Sequence, residues 1–132
     1  MAKLKQLVIH CTATPEGREV SADEIRRWHC APLSEGGRGW RQVGYTDLIH
    51  LDGTVERLVD NNEDDVVDPW EITNGAAGHN SVSRHIVYAG GVAADGRTPK
   101  DTRTPEQREA LATYVRDFHR RFPSCLLYTS PS

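Results

Sequence analysis

Long apolar runs are missing from this 132-residue chain. A helix that crosses a bilayer needs about 18 or more apolar residues in succession, and no segment approaches that, so no membrane association is expected. The N-terminal MAKLKQLVIHC joins charge to an apolar stretch in the manner of a signal peptide, but the stretch is too short and His10 interrupts it. It reads as the first strand of the fold. An excess of one charge is also missing: 16 Lys and Arg stand against 19 Asp and Glu, for a formal net charge of −3. With no basic stripe, nucleic acid is not an expected partner, and Arg116, Arg120 and Arg121 read as the solvated side of a terminal helix. Cysteine is scarce. Cys11, Cys30 and Cys125 are odd in number, widely spaced and without a CxxC pair, which excludes a disulfide framework and a structural metal knot. Reduced thiols and a reducing compartment are expected. No HExxH pair, internal repeat or low-complexity segment occurs.

What is present fits one domain with a real core. Leu4 to His10 reads as a strand with Leu7 and Ile9 on one side, Val8 and His10 on the other, and Cys11 pointing away from His10. Ser21 followed by Glu24 is a capping-box signature, opening a helix through Ala22, Ile25 and Trp28 that stops before Pro32. Ser34 to Trp40 is a Gly-rich loop. Val43 to Leu51 and Thr54 to Val59 read as a hairpin turned at Asp52-Gly53. Asn61 to Asp65 is an acidic, solvated loop, and Asn74 to Ser83 is a small, polar loop suited to pressing against something. His85 to Ala89 reads as a buried strand. Thr104, Pro105 and Gln107 cap a second helix with Leu111, Val115, Phe118 and Phe122 on one stripe, ending near Pro123. The predicted class is α/β (α+β), a mixed central sheet flanked by helices. After Pro123 only SCLLYTSPS remains, too short for another full strand-loop unit and unlike the rest of the chain.

Six histidines are candidates for chemistry: His10, His29, His50, His79, His85 and His119. His29 and His119 are expected at the surface or half-buried on helices, His50 as a cross-strand packing partner, and His85 as a strand residue bonded to nearby backbone. His10 has the better claim. It stands at the end of a rigid strand, and the small hydroxylated residues Thr12 and Thr14 leave room for a ligand, so it suits a metal ligand or an acid/base group. A core histidine bonded to a carbonyl is the alternative. Tyr45, directly after Gly44, can send its hydroxyl into the same cleft, or serve as an ordinary strand aromatic.

Taken in order, VIHCTAT, an early helix ending in RRWH, GYTDLIHLDGTVE, GHNSVSRHIVYAGG and DTRTPEQREAL resemble the zinc-dependent N-acetylmuramoyl-L-alanine amidases of type 2. This is the phage-lysozyme and peptidoglycan-recognition-protein type. The resemblance implies a peptidoglycan hydrolase that cuts between N-acetylmuramoyl and the first L-alanine of the stem peptide. It implies Zn2+ as cofactor, His10 as a metal ligand and Tyr45 as the catalytic group beside the reacting carbonyl. Thr12, Gly78, His79 and Asn80 would contact substrate. The two other family zinc ligands, a histidine and a cysteine in late segments, have no match here; Cys125 is followed by Leu126 rather than proline and comes too early. Thr46 stands where relatives usually carry histidine or an aromatic. The expectation is therefore an incomplete amidase domain over 1–123, with 124–132 a non-native tail, and weak zinc binding and slow or absent turnover by this piece. A non-catalytic peptidoglycan-binding module is the second reading, and an unrelated α/β protein in which His10 and Tyr45 only pack is the third. The partner would be peptidoglycan, engaged by a monomer. The location would be the cytoplasm until lysis, as for a phage or prophage endolysin, or outside the cell by an unconventional route.

Overall fold

The protein is described by a computed structural model covering residues 2–76 and 78–129. In chain order the elements are β1 (Ala2–Lys3), β2 (Gln6–Cys11), β3 (Thr14–Pro15), α1 (Ala22–Cys30), β4 (Asp47–Ile49), β5 (Val55–Arg57), β6 (Val66–Val67), β7 (Ser83–Tyr88), β8 (Gly91–Val92), α2 (Pro105–Arg121) and β9 (Leu126–Thr129). The main sheet has the order β5-β4-β7-β2-β9. Of its four pairings three are parallel, and at one edge β5 runs antiparallel to β4. The predicted mixed sheet with flanking helices is what the chain forms.

Crossovers set the layers. The chain passes from β2 through α1 to β4, and from β7 through α2 to β9, moving across the sheet in opposite senses. Because such connections are right-handed, opposite senses place the helices on opposite faces. The core is divided accordingly. Leu7, Ile49 and Ile86 pack with Leu111, Phe118 and Phe122 on the α2 side. Leu48, Val87 and Ala89 pack with Val20 and Ile25 on the α1 side. Strand alternation therefore assigns His10 and Val8 to the α1 face and Leu7 and Ile9 to the other, as predicted.

Both capping boxes form. Ser21 and Glu24 close the start of α1, and Thr104 and Gln107 close the start of α2. Gln107 does more than cap: it is fully buried, and its Nε2 donates to the carbonyl of Ala89 at 2.9 Å. The second helix is thus tied to β7's end by a side chain that the sequence presents only as a cap residue.

Two expectations need correction. The hairpin is shorter than predicted, with β4 beginning at Asp47 and β5 ending at Arg57; Asp47, buried at the start of β4, bonds Arg57 Nε at 2.7 Å and Tyr114 Oη at 2.6 Å. His50 meets Glu56 across the hairpin at 2.8 Å, as expected, and also Glu19 at 3.1 Å. Finally, Leu126–Thr129 has room to form an edge strand, since parallel pairing to β2 needs only the return of α2. All four of its residues are exposed. Residues 130–132 of the predicted tail lie outside the described residues.

Candidate active site

The α1 face of the sheet carries an aromatic and imidazole cluster. His10, near the end of β2, is 5% exposed. Its ring centroid lies 5.2 Å from that of Tyr45 and 5.0 Å from that of His85. Tyr45 in turn is 5.2 Å from His29, and His29 is 4.8 Å from Trp40. The two residues singled out from the sequence are therefore neighbours, with two further histidines beside them.

Each side chain is held by a local cause. His10 is carried by a strand paired on both sides. Tyr45 precedes β4, and the next residue, Thr46, docks its N–H on the carbonyl of His85 at 2.7 Å. His29, in the last turn of α1, accepts the N–H of Gly44 at its Nδ1, at 2.9 Å. A Cβ at 44 would lie 3.0 Å from the His29 ring, a tight approach that glycine relieves. Ala13, with φ of 56°, holds a left-handed turn just after β2. Such a conformation is costly for a non-glycine residue and belongs at a shaped site. The hydroxyls of Thr12 and Thr14 bond each other at 2.6 Å, and Thr12 Oγ1 accepts the N–H of Gly90 at 2.9 Å.

His29 is a correction to the sequence reading. It is 8% exposed, not half-buried or superficial, because the loop from Gly36 to Tyr45 folds back over the end of α1. Arg38 N–H meets the carbonyl of Trp28 and Trp40 N–H that of His29. His85 was expected to bond nearby backbone; it is fully buried, and its ring bonds side chains instead. His85 Nδ1 lies 2.9 Å from His10 Nε2, and its Nε2 lies 3.1 Å from Asn80 Oδ1. One sequence signal for this existed, the small polar loop before β7. Gly75 presses on the His85 ring so closely that a Cβ there would sit 2.5 Å from Nδ1.

Burial sets the protonation states. Desolvation drives His10 and His29 down to about 4 and His85 to about 3, with Arg38 adding to the effect at His29 and the neighbouring imidazole His10 at His85. All three are neutral near pH 7. Burial raises Tyr45 above the ordinary phenol value, with nearby Cys11 adding to it. Its hydroxyl stays protonated and available as a donor. That hydroxyl has no partner among the described residues and is not among the polar atoms sealed away from solvent without one. A cavity of about 320 Å3 opens beside it, lined by Thr12, Ala13, Trp28, His29, Arg38 and Tyr45 among others.

The other predicted contacts are close in sequence but differ in setting. Gly78 and His79 are exposed on the loop before β7. Asn80 is half-buried, and its carbonyl oxygen faces inward to His85 and to the N–H of Ala76. Cys11 is half-buried, with its sulfur against Gly91, and it also borders the cavity beside Tyr45.

His10 fits a zinc ligand: it is neutral, buried and rigidly held. A catalytic zinc needs three protein ligands, and no group of three His, Cys, Asp or Glu side chains able to hold a metal occurs among the described residues. The described residues alone do not close such a site.

The mixed sheet between two helices thus carries a buried imidazole and a phenol donor beside a cavity. The chain belongs to the N-acetylmuramoyl-L-alanine amidase family, whose description it matches over residues 1–126. It is 32% identical to an endolysin of Enterobacteria phage K11 over 122 residues, which make up 92% of this chain and 71% of that protein. The solved Ph2119 endolysin from a Thermus scotoductus bacteriophage superposes with a TM-score of 0.69 at 25% identity, covering 98% of this chain and 72% of that one. The amidase LysC from Clostridium intestinale shares the fold at 20% identity and a TM-score of 0.69, covering 96% of this chain and 70% of that one. Members of the family are peptidoglycan hydrolases.

Proposed function

We propose that this chain hydrolyses the amide between N-acetylmuramoyl and the L-alanine of the stem peptide in a zinc-dependent way, with His10 as one metal ligand and Tyr45 as the oxyanion donor. The observation that carries this is the 5.2 Å contact between the two rings, which are 35 residues apart in sequence, beside an open cavity. When bound, zinc supplies a water with a pKa near 7 and a polarised carbonyl. The chain's own residues do the rest. His10 offers one neutral nitrogen. Tyr45 donates a hydrogen bond where negative charge develops on the carbonyl oxygen.

Thr12 lies at the cavity wall, and Gly78, His79 and the amide nitrogen of Asn80 are offered as contacts for the sugar or peptide. The neighbours support peptidoglycan as partner: one is the PGRP-LCa and PGRP-LCx complex with tracheal cytotoxin. We read 1–123 as the body of the amidase domain; the family match runs on to residue 126, and Leu126–Thr129 pairs with β2 in its sheet. The K11 relative extends beyond what this chain spans. Like its endolysin relatives, the protein would meet the wall as a single copy when the host cell lyses. No described helix is long and apolar enough to cross a membrane.

The test is digestion of purified peptidoglycan, with zinc supplied, by this chain extended with its downstream coding sequence. Release of stem peptides with a free L-alanine amine is expected, abolished by His10→Ala. Tyr45→Phe should lower turnover by about 100-fold, the usual effect of one lost oxyanion donor, with little change in stability. Intact wall under these conditions overturns the proposal. Retained wall binding without release would favour a binding module.

A further inference from the structure

The hydrogen bonds around His85 settle which nitrogen of His10 carries its proton. Asn80 Oδ1 accepts the backbone N–H of Ala76 at 2.9 Å. A backbone N–H can only donate, so this contact fixes which end of the amide is oxygen. The same oxygen lies 3.1 Å from His85 Nε2. An amide oxygen can only accept, so His85 carries a hydrogen on Nε2. His85 is fully buried, and its two ring partners among the described residues are Asn80 and His10, neither of them an anion. A buried imidazolium without a counter-charge is costly. His85 is thus neutral and its Nδ1 is an acceptor. His10 Nε2, 2.9 Å away, must be the donor to it.

We propose that His85, anchored by Asn80, is a positioning residue that locks His10 in the Nε2–H form and thereby makes Nδ1 the atom His10 offers to a metal. The metal part rests on the reading of His10 as a ligand given above. Nδ1 has no hydrogen-bond partner among the described residues and is not one of the atoms sealed from solvent without one. A metal-bound imidazole needs its second nitrogen held by an acceptor, which sets tautomer and ring orientation. Such acceptors are usually carboxylates, carbonyls or water; here a second imidazole fills that place, itself oriented by an amide. Gly75 keeps the His85 ring in position from the other side, since no side chain fits between them.

Nitrogen-15 NMR of the metal-free chain tests this directly. The expected spectrum shows His10 with a protonated Nε2 and an unprotonated Nδ1, and a nitrogen–nitrogen coupling across the bond to His85 Nδ1. In His85→Leu the coupling disappears, and the His10 tautomer ratio shifts by roughly tenfold, the worth of one hydrogen bond to a buried acceptor. His85→Asn, whose side-chain oxygen can take the place of Nδ1, restores the Nε2–H form. A protonated Nδ1 on His10 in the wild type overturns the proposal, whether or not the variants fold. So does an unchanged tautomer ratio in a folded His85→Leu. Because no metal enters the measurement, failure of His10 to bind zinc would overturn the proposed function while leaving the tautomer result standing.

Discussion

Adding one methyl group at Gly75 isolates the contact that holds the imidazole pair. A Cβ at this position would lie 2.5 Å from His85 Nδ1 and 2.9 Å from the carbonyl oxygen of Gly44. Comfortable separations between non-bonded heavy atoms are about 3.5–4.0 Å, so the overlap is on the order of 1 Å, with the ring on one side and backbone on another. The His85 ring cannot swing away without losing both of its hydrogen bonds. Gly75 itself has no left-handed backbone to protect, so a glycine-to-alanine change without the clash would stabilise by about 0.4–1 kcal/mol through the unfolded chain. Overpacking costs roughly 1–3 kcal/mol. Gly75→Ala should therefore destabilise by about 1.3 kcal/mol in equilibrium urea unfolding. In a His85→Ala background the ring is gone and only the Gly44 carbonyl oxygen opposes the unfolded-chain gain, so the same change should be close to neutral. The coupling between the two sites should then approach about 1.3 kcal/mol. A cost below about 0.5 kcal/mol in the wild type, or the same cost in both backgrounds, would refute the packing argument.

Acid should unfold the protein earlier than its carboxylates alone require. His10, His29 and His85 have folded-state pKa values of about 4, 4 and 3, against about 6.5 in the unfolded chain. The unfolded state therefore binds more protons from about pH 6.5 downward, and stability falls with pH through that window at up to about 1.4 kcal/mol per unit for each ring. His29→Asn, which keeps an acceptor for Gly44 N–H, should flatten the slope by one proton; a flat stability between pH 7 and about 4.5 would contradict the burial argument. His50 has the opposite sign: burial lowers its pKa, but Glu56 and Glu19 outweigh that and raise it, so its contribution is lost as pH rises. Gln107→Leu should cost roughly 2–3 kcal/mol in urea unfolding, because it strips the N–H of Thr104 and the carbonyl of Ala89 of their partner. A loss no larger than an ordinary surface change, about 0.5 kcal/mol, would mean that water replaces the side chain.

The chain's local patterns decided its elements. The Ser21/Glu24 and Thr104/Gln107 signatures mark both helix starts because a cap is a contact between residues three apart. Alternation in LVIHC put His10 opposite Ile9 because strand side chains have a period of two. The ordered motifs carried the family, and with it His10 and Tyr45. Local patterns could not supply partners. His85 looked like any strand histidine, His29 like a helix-surface residue and Gln107 like a cap. Each is defined by a residue 15 to 75 positions away: His29 by Gly44, Gln107 by Ala89 and His85 by His10. Only the parallel register of β2 against β7 brings the imidazoles to 2.9 Å. Which nitrogen of His10 holds the proton depends on that register and on a loop amide, so it is a property of the folded chain alone.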